Sequence, residues 1–203
     1  MKQSFDLFLK MLAECNGIRT VYEYLENKVH APVNYSDLLR WQWIQAVSTL
    51  DKFIHDIVRI GILEIYTGVR ISTQKYQSFP LSLEILMRMK DGDVYSSSKI
   101  LENQILAKHS FLAFQDPDKI SDALSYIWNE EHKWQCISNK MNISESSARK
   151  QLRNISIRRN QIVHEGDYSN ELLQRQEMIK EDVNEVVSFI RKIGENIYFL
   201  IKI

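Results

Sequence analysis

The chain has 203 residues, 44% apolar and 26% charged, and its 26 basic side chains balance its 26 acidic ones. This length and composition predict one folded domain over 1–203 and exclude a disordered chain. The balanced charge excludes a protein that coats nucleic acid over its whole surface, so any nucleic-acid contact has to be local. No stretch reaches the ~18 apolar residues of a membrane span, which predicts a cytoplasmic protein without a membrane partner.

The cysteines and histidines do not form a pattern typical of metal sites. Cys15 and Cys136 lie far apart in sequence and lack the spacing of a zinc site or a disulfide framework. The histidines outside the motif described below form no recognisable ligand set. We therefore expect two free thiols, no metal and no other cofactor.

Apolar residues recur mostly at steps of three and four, which predicts an all-α fold with little or no sheet. A first helix is predicted over about 4–27, with a break favoured at 16–17, where Asn and Gly meet. A loop through Pro32 and Asn34 follows. The apolar stripe over 36–68 predicts the longest helix, which would form the spine of the core.

The rest of the chain is predicted to be helical apart from one segment. Residues 69–98 contain Phe-Pro and Asp-Gly breaks around a short helix, and we interpret them as an irregular insertion. Asp116-Pro117 is the clearest start signal for a helix. The predicted helices are 81–89, 97–115, 118–129, 130–139, one from Ser144 to about 165, and a closing helix over 179–201.

The most informative segment is NISESSARKQLRNISIRRNQIVHEGD, residues 142–167. Between Glu145 and Glu165 it has five basic residues and no acidic one, which predicts a local positive strip in a neutral protein. These residues are Arg149, Lys150, Arg153, Arg158 and Arg159.

Arg159 occupies an unusual position on this helix. A step of about 100° per residue places it in the middle of an apolar face. Because a guanidinium stays charged, it has to meet a carboxylate, a water-filled cleft or an anionic ligand. Asp51, on the rim of the long helix, is the candidate acid. The apolar face consists of Ala148, Leu152, Ile155, Ile162 and Val163.

Asn160 and His164 lie one helical turn apart on a polar strip beside Arg159. An arginine fork binds phosphate, and an imidazole moves protons near neutral pH, so the three side chains suit RNA cleavage without a metal. By spacing alone, however, an Arg and a His near a helix C-terminus also fit a solvated helix end that complements the dipole.

The run Arg159-Asn160-Gln161-Ile162-Val163-His164 resembles the R-N-x-x-x-H signature of the HEPN superfamily. The longer run LRNISIRRNQIVHEGD is similar to the RiboL-PSP-HEPN branch of that superfamily. The resemblance implies a HEPN-like helical bundle with a long early core helix, a late helix that carries the motif and a closing C-terminal helix.

The same resemblance implies a metal-independent endoribonuclease that acts as a homodimer, in which the RNA 2′-hydroxyl attacks the adjacent phosphate. His164 would transfer protons, Arg159 would anchor the phosphate and Asn160 would position it. By analogy with the family, the protein would be a toxin or a defence effector. The RNA backbone would be guided by Arg149, Arg153 and Arg158.

One departure concerns regulation. HEPN toxins that pair with a nucleotidyltransferase antitoxin typically carry a tyrosine two residues after the His, whereas this chain has Gly166 there and Tyr168 two residues further on. An antitoxin or associated defence protein remains a predicted partner, but the resemblance does not extend to control by nucleotidylation.

Two rival hypotheses arise from the same segment. Residues 134–152 fit a helix-turn-helix that would bind DNA, although its second helix continues into apolar residues that should be buried. The DNA contacts would come from Ser146, Ser147, Arg149 and Lys150. The other rival is a catalytically silent HEPN module that binds RNA or a protein.

Overall fold

The computed structural model describes residues 1–29, 33–169 and 173–202, so Pro32 of the predicted loop lies outside the described residues. Over these ranges the only strand-like pairing is an isolated bridge between Tyr168 and Arg175, and the all-α prediction is confirmed. The helices are α1 (Lys2–Tyr24, continued by a π-helix over Leu25–Val29), α2 (Ser36–Tyr66), α3 (Gln74–Gln77), α4 (Leu83–Lys90), α5 (Val94–His109), α6 (Pro117–Leu124), α7 (Lys133–Lys140), α8 (Glu145–Glu165) and α9 (Lys180–Ile201).

The predicted break in the first helix is wrong, because α1 runs without interruption through residues 16–17. One face of α1 packs on α2, where the rings of Phe5 and Phe8 both contact Phe53. Burying these side chains stabilises the helix by more than the roughly 1 kcal/mol that a glycine in a helix interior costs.

Helix α2 forms the spine of the bundle, as predicted. It contacts α1, α5, α6, α8 and α9, and its inward face is fully buried over four turns. Helix α9 packs against the same core with a continuous apolar stripe. The fully buried residues of these two stripes include Leu50, Ile54, Ile57, Ile62, Val183, Ile190, Ile193 and Ile197.

Helix α8 begins and ends where the sequence predicts. The hydroxyl of Ser144 accepts a hydrogen bond from the backbone N–H of Ser147, which caps the N-terminus. At the other end Gly166 adopts a left-handed conformation with φ of 63° and closes the helix. Between these caps the helix packs against α2, α6 and α7, so its inward face is fixed in the bundle.

Residues 69–98 contain α3, α4 and the first turn of α5. Helix α4 has no buried residue, although leucine and methionine make up half of it. Helices α6 and α7 are shorter than predicted, because turns occupy 125–127 and irregular backbone follows. The hydroxyl of Ser125 donates to the carbonyl of Ser121, a local bond that competes with continuation of the helix.

Candidate functional site

A groove of about 350 Å³ lies between the C-terminal half of α8 and residues 113–119, which lead from α5 into α6. It brings together the three predicted catalytic residues, which come from consecutive turns of α8. Its lining comprises Ala113, Gln115, Asp116, Lys119, Arg153, Ser156, Ile157, Arg159, Asn160 and His164.

Arg159 is half-buried in this groove, and no carboxylate of the described residues forms a salt bridge with it. Its Nη1 donates to Asn160 Oδ1 at 3.1 Å, while its buried Nε has no hydrogen-bond partner. A buried guanidinium without a counter-ion is costly unless water or an anionic ligand reaches it. The sequence allows Arg159 to meet a carboxylate, a water-filled cleft or an anionic ligand. The geometry favours the open, water-filled cleft.

His164 and Asn160 are exposed on the same side of α8. The imidazole of His164 lines the groove and makes no hydrogen bond with any residue of the described ranges. Asn160 already accepts from Arg159, which leaves its amide N–H groups free to donate.

Asp51 does not pair with Arg159, so the suggested ion pair is wrong. Its carboxylate instead accepts from the backbone N–H of Phe114 at 2.6 Å and from the side-chain amide of Gln115 at 3.1 Å. The hydroxyl of Ser156 on α8 donates to the Gln115 carbonyl at 2.7 Å. Asp51 therefore supports the wall of the groove that faces α8 and does not touch the groove itself.

A buried histidine lies behind this wall. His109 is 6% exposed, and its ring meets that of Phe114 edge-on at 5.6 Å. Burial, together with the charge of nearby His55, lowers the pKa of His109 to about 4. His109 is therefore neutral at physiological pH and packs as part of the core.

The positive strip predicted along α8 is largely neutralised at its N-terminal half. Arg149 pairs with Glu145 at 3.0 Å and with Asp118, and Arg153 pairs with Asp118 at 2.9 Å and Asp116 at 3.4 Å. Two of these three acids, Asp116 and Asp118, come from outside α8. The sequence of α8 alone therefore overestimates its positive charge.

Arg158 does not line the groove of Arg159, and its predicted contact with RNA is not supported by its position. Residues on a helix are separated by about 100°, so Arg158 and Asn160 point about 160° apart. Arg158 Nε lies 2.7 Å from Asp167 Oδ1, and its Nη1 donates to Gln176 at 2.7 Å. The side chain joins a buried charge cluster instead.

This cluster centres on Asp167, which is 0% exposed and immediately follows the C-cap of α8. Arg40 of α2 donates through Nε to Asp167 Oδ2 at 2.8 Å and through Nη2 to the Gln176 carbonyl at 2.6 Å. The network joins α2, the end of α8 and the chain before α9. It fixes the helical turn that carries His164.

At Gly166 the chain lacks the tyrosine that HEPN toxins paired with a nucleotidyltransferase antitoxin typically carry, and the backbone gives a structural reason. The left-handed backbone there, with φ of 63°, favours glycine and disfavours a tyrosine. Tyr168 is 53% exposed, and its ring lies 3.5 Å from the position that a Cβ at Gly166 would occupy.

Sequence reasoning missed Lys119, Gln115 and Ile157 among the groove residues. Lys119 and Gln115 lie on a different segment from the motif, and only the tertiary fold brings them opposite α8. Ile157 had a sequence signal, since a step of about 100° places it beside His164 and away from the apolar face. Val163, predicted on the buried face, is at the edge of that face and is 43% exposed.

The described ranges contain no cluster of three or more His, Cys, Asp or Glu side chains suited to a metal ion. Within them, no helix is both long and apolar enough to cross a bilayer. The groove itself offers a guanidinium, an amide and an imidazole, which are the groups needed to bind a phosphate and transfer a proton.

A helical bundle whose late helix carries Arg159, Asn160 and His164 in one groove fits the layout that the resemblance to HEPN proteins implies. The family model RiboL-PSP-HEPN matches residues 12–202, nearly the whole chain, and the chain therefore belongs to the RiboL-PSP-HEPN family. Comparisons with curated proteins and with solved structures returned no match. Family membership is consistent with a ribonuclease or an RNA-binding module.

Proposed function

We propose that the protein is a metal-independent endoribonuclease that works as a homodimer. The observation that carries this proposal is the half-buried guanidinium of Arg159, which has no carboxylate partner in the described chain and shares a groove with an exposed imidazole. A phosphodiester supplies the missing negative charge, and the imidazole of His164 lines the same groove.

In the proposed reaction the 2′-hydroxyl attacks the adjacent phosphorus, and the bond from phosphorus to the 5′-oxygen breaks. The products are a 2′,3′-cyclic phosphate and a free 5′-hydroxyl. Arg159 holds the non-bridging oxygens, where negative charge builds up, and the free amide of Asn160 donates to the same phosphate. One proton leaves the 2′-oxygen and one reaches the 5′-oxygen, and His164 transfers protons in this exchange.

A second copy of the chain explains how both proton transfers occur. One groove contains one histidine, and two grooves that face each other provide a base and an acid at once. Apolar side chains support such contact: Ile157 lies in the groove, Val163 precedes His164, and Phe111, which is 92% exposed, lies just before the groove wall. Exposed apolar surface of this kind is typical of protein interfaces.

The catalytic test compares wild-type protein with His164→Ala, Arg159→Ala and Asn160→Ala on total RNA in the presence of EDTA. Wild-type protein should cleave, the first two variants should lose about 100-fold or more in rate, and the third should lose less. His132→Ala is the matched control, since His132 is also exposed but lies outside the groove.

Equal cleavage by all four proteins and the control, or a strict metal requirement, would contradict the proposal. RNA binding without cleavage by wild type would identify a silent module. Sequence-specific binding to duplex DNA would favour a helix-turn-helix regulator, which the structure makes less attractive because Ala148, Leu152 and Ile155 of the second helix are buried in the bundle.

The dimer is tested separately by analytical ultracentrifugation. Ile157→Glu should shift the protein towards monomer and lower its cleavage rate, because it places a charge in the proposed interface. Ile71→Glu is the matched control, since the Ile71 side chain is 90% exposed and lies outside the groove. If both variants sediment as wild type, the interface proposed here is wrong.

The biological role that we propose is that of a toxin or defence effector whose cleavage of cellular RNA stops growth, held in check by an antitoxin or associated protein. This role rests on the family. Expression of wild type and of His164→Ala in a bacterial host tests it, and growth arrest with wild type alone is the expected result.

A further inference from the structure

A cluster of charged side chains forms one end of the groove, where α6 approaches α8. Lys119 and Arg153 line the groove, and Arg149 lies one turn of α8 further on. Asp118 contacts both arginines, through Oδ1 to Arg149 and through Oδ2 to Arg153 at 2.9 Å. One carboxylate thus bridges two guanidiniums at the entrance to the groove.

The charges of this cluster balance. Its three cations are Arg149, Arg153 and Lys119, and the two arginines pair with the three carboxylates of Asp116, Asp118 and Glu145. Lys119 is exposed and forms no ion pair with a described residue. Asp116 is also occupied as the N-cap of α6, since its Oδ1 accepts from the backbone N–H of Asp118 at 2.8 Å.

We propose that Lys119, Arg153 and Arg149 form a subsite for a second backbone phosphate of the bound RNA strand, and that Asp118 occupies this subsite when RNA is absent. This inference rests on the proposed function in one respect, namely that the groove receives RNA. Asp118 then acts as an internal competitor that mimics the phosphate and weakens binding.

The spacing along α8 places the subsite away from the cleaved bond. Arg153 precedes Arg159 by six residues, which is about 9 Å along the helix axis at 1.5 Å per residue. When Arg159 holds one phosphate, Arg153 is therefore in position to bind a neighbouring phosphate of the same strand. The ligand of the groove is accordingly a strand of several nucleotides, with one phosphate at each site.

The exchange of carboxylate for phosphate is feasible because the ion pairs are exposed. The Asp118 side chain is 61% exposed and that of Arg153 is 45% exposed, and ion pairs of this kind contribute little to stability. A phosphate offers the same charge-assisted bonds to arginine in a bidentate geometry. Removing the competing charge of Asp118 should therefore strengthen RNA binding without unfolding the protein.

The test measures binding, in a His164→Ala background so that the probe stays intact. The probe is a short fluorescein-labelled single-stranded RNA, and anisotropy gives Kd across about 50 to 200 mM salt. Asp118→Asn should tighten binding by about three- to tenfold. Asp118→Glu keeps the negative charge, so it should bind the RNA with the same Kd as the parent protein, which carries His164→Ala alone.

Lys119→Ala should weaken binding and lower the slope of log Kd against log salt by about one, because one phosphate contact is lost. Lys10→Ala is its matched control, since Lys10 is 73% exposed on α1, which does not line the groove. Thermal unfolding checks that each variant folds.

Three outcomes decide between the proposals. If Arg159→Ala weakens binding but Asp118→Asn and Lys119→Ala leave Kd unchanged, the groove binds RNA and the subsite is wrong. If both variants shift Kd as expected while wild-type protein fails to cleave RNA, the subsite stands and the nuclease proposal fails. If the parent does not bind RNA, both are overturned.

Discussion

Replacing Asp167 with asparagine tests the buried charge cluster at the end of α8. The substitution keeps the shape of the side chain and removes its charge. Asp167 is 0% exposed and is the carboxylate that both Arg40 and Arg158 contact, at 2.8 Å and 2.7 Å. Loss of the negative charge of Asp167 leaves the guanidiniums of Arg40 and Arg158 packed together without their shared counter-ion.

The expected cost follows from the burial of the partners. Breaking a buried ion pair by removing one partner costs about 3–5 kcal/mol. Arg40 is 4% exposed, but Arg158 is 22% exposed and recovers part of its hydration. We therefore expect a loss of about 3 kcal/mol, which lowers the midpoint of thermal unfolding by roughly 6–12 °C for a chain of this length.

Urea denaturation gives the free energy of unfolding, with Asp37→Asn as the matched control. Asp37 lies 3.6 Å from the same Arg40, but its side chain is 64% exposed, so its loss should cost less than about 1 kcal/mol. If the two variants lose the same amount, the argument from burial is wrong. Asp167→Asn should also slow the proposed RNA cleavage, because the turn that holds His164 loses its anchor.

Three further predictions concern stability. His109 has a pKa lowered from 6.5 to about 4 in the folded state, so the unfolded chain binds a proton first as the pH falls. The free energy of unfolding therefore keeps its full value above pH 6.5 and falls by about 3 kcal/mol as the pH drops to 4. His109→Gln should flatten this pH dependence in urea titrations. Gly194→Ala should destabilise the protein by about 1–3 kcal/mol, because the new Cβ would lie 2.3 Å from Phe8 Cζ. The Cβ of Gly17→Ala would meet no atom within 4 Å, so calorimetry should show that this control slightly stabilises the protein. Asp51→Ala should cost about 1–3 kcal/mol in denaturant unfolding and lower cleavage, since it removes the acceptor for a backbone N–H in the groove wall.

The sequence predicts well those features that depend on local signals. Ser144 and Gly166 mark the ends of α8 correctly, because capping depends on residues within one turn. The apolar stripe of α2 predicts the spine, since burial of one face requires that periodicity. Local reasoning fails at residues 16–17, where packing against α2 outweighs a weak preference for a turn.

The sequence predicts the site less completely, because charges pair across helices. Arg149 has one acid, Glu145, within reach on α8, but the other acids that pair with Arg149 and Arg153 lie more than 30 positions away, at 116 and 118. The sequence predicts that Arg158 guides the RNA backbone together with Arg149 and Arg153, although on the helix it points about 160° away from Asn160. The proximity of Arg159, Asn160 and His164 was predictable, since all three lie on one helix.

Both walls of the groove are tied to α2, and this arrangement has a consequence for genetics. Asp51 holds the segment before α6, and the indole N–H of Trp43 donates to the Ile155 carbonyl of α8 at 3.1 Å. Helix α2 therefore sets the width of the groove from within the molecule. A random mutagenesis screen for loss of the proposed RNA cleavage should recover α2 substitutions at positions outside the groove, alongside those in the motif itself.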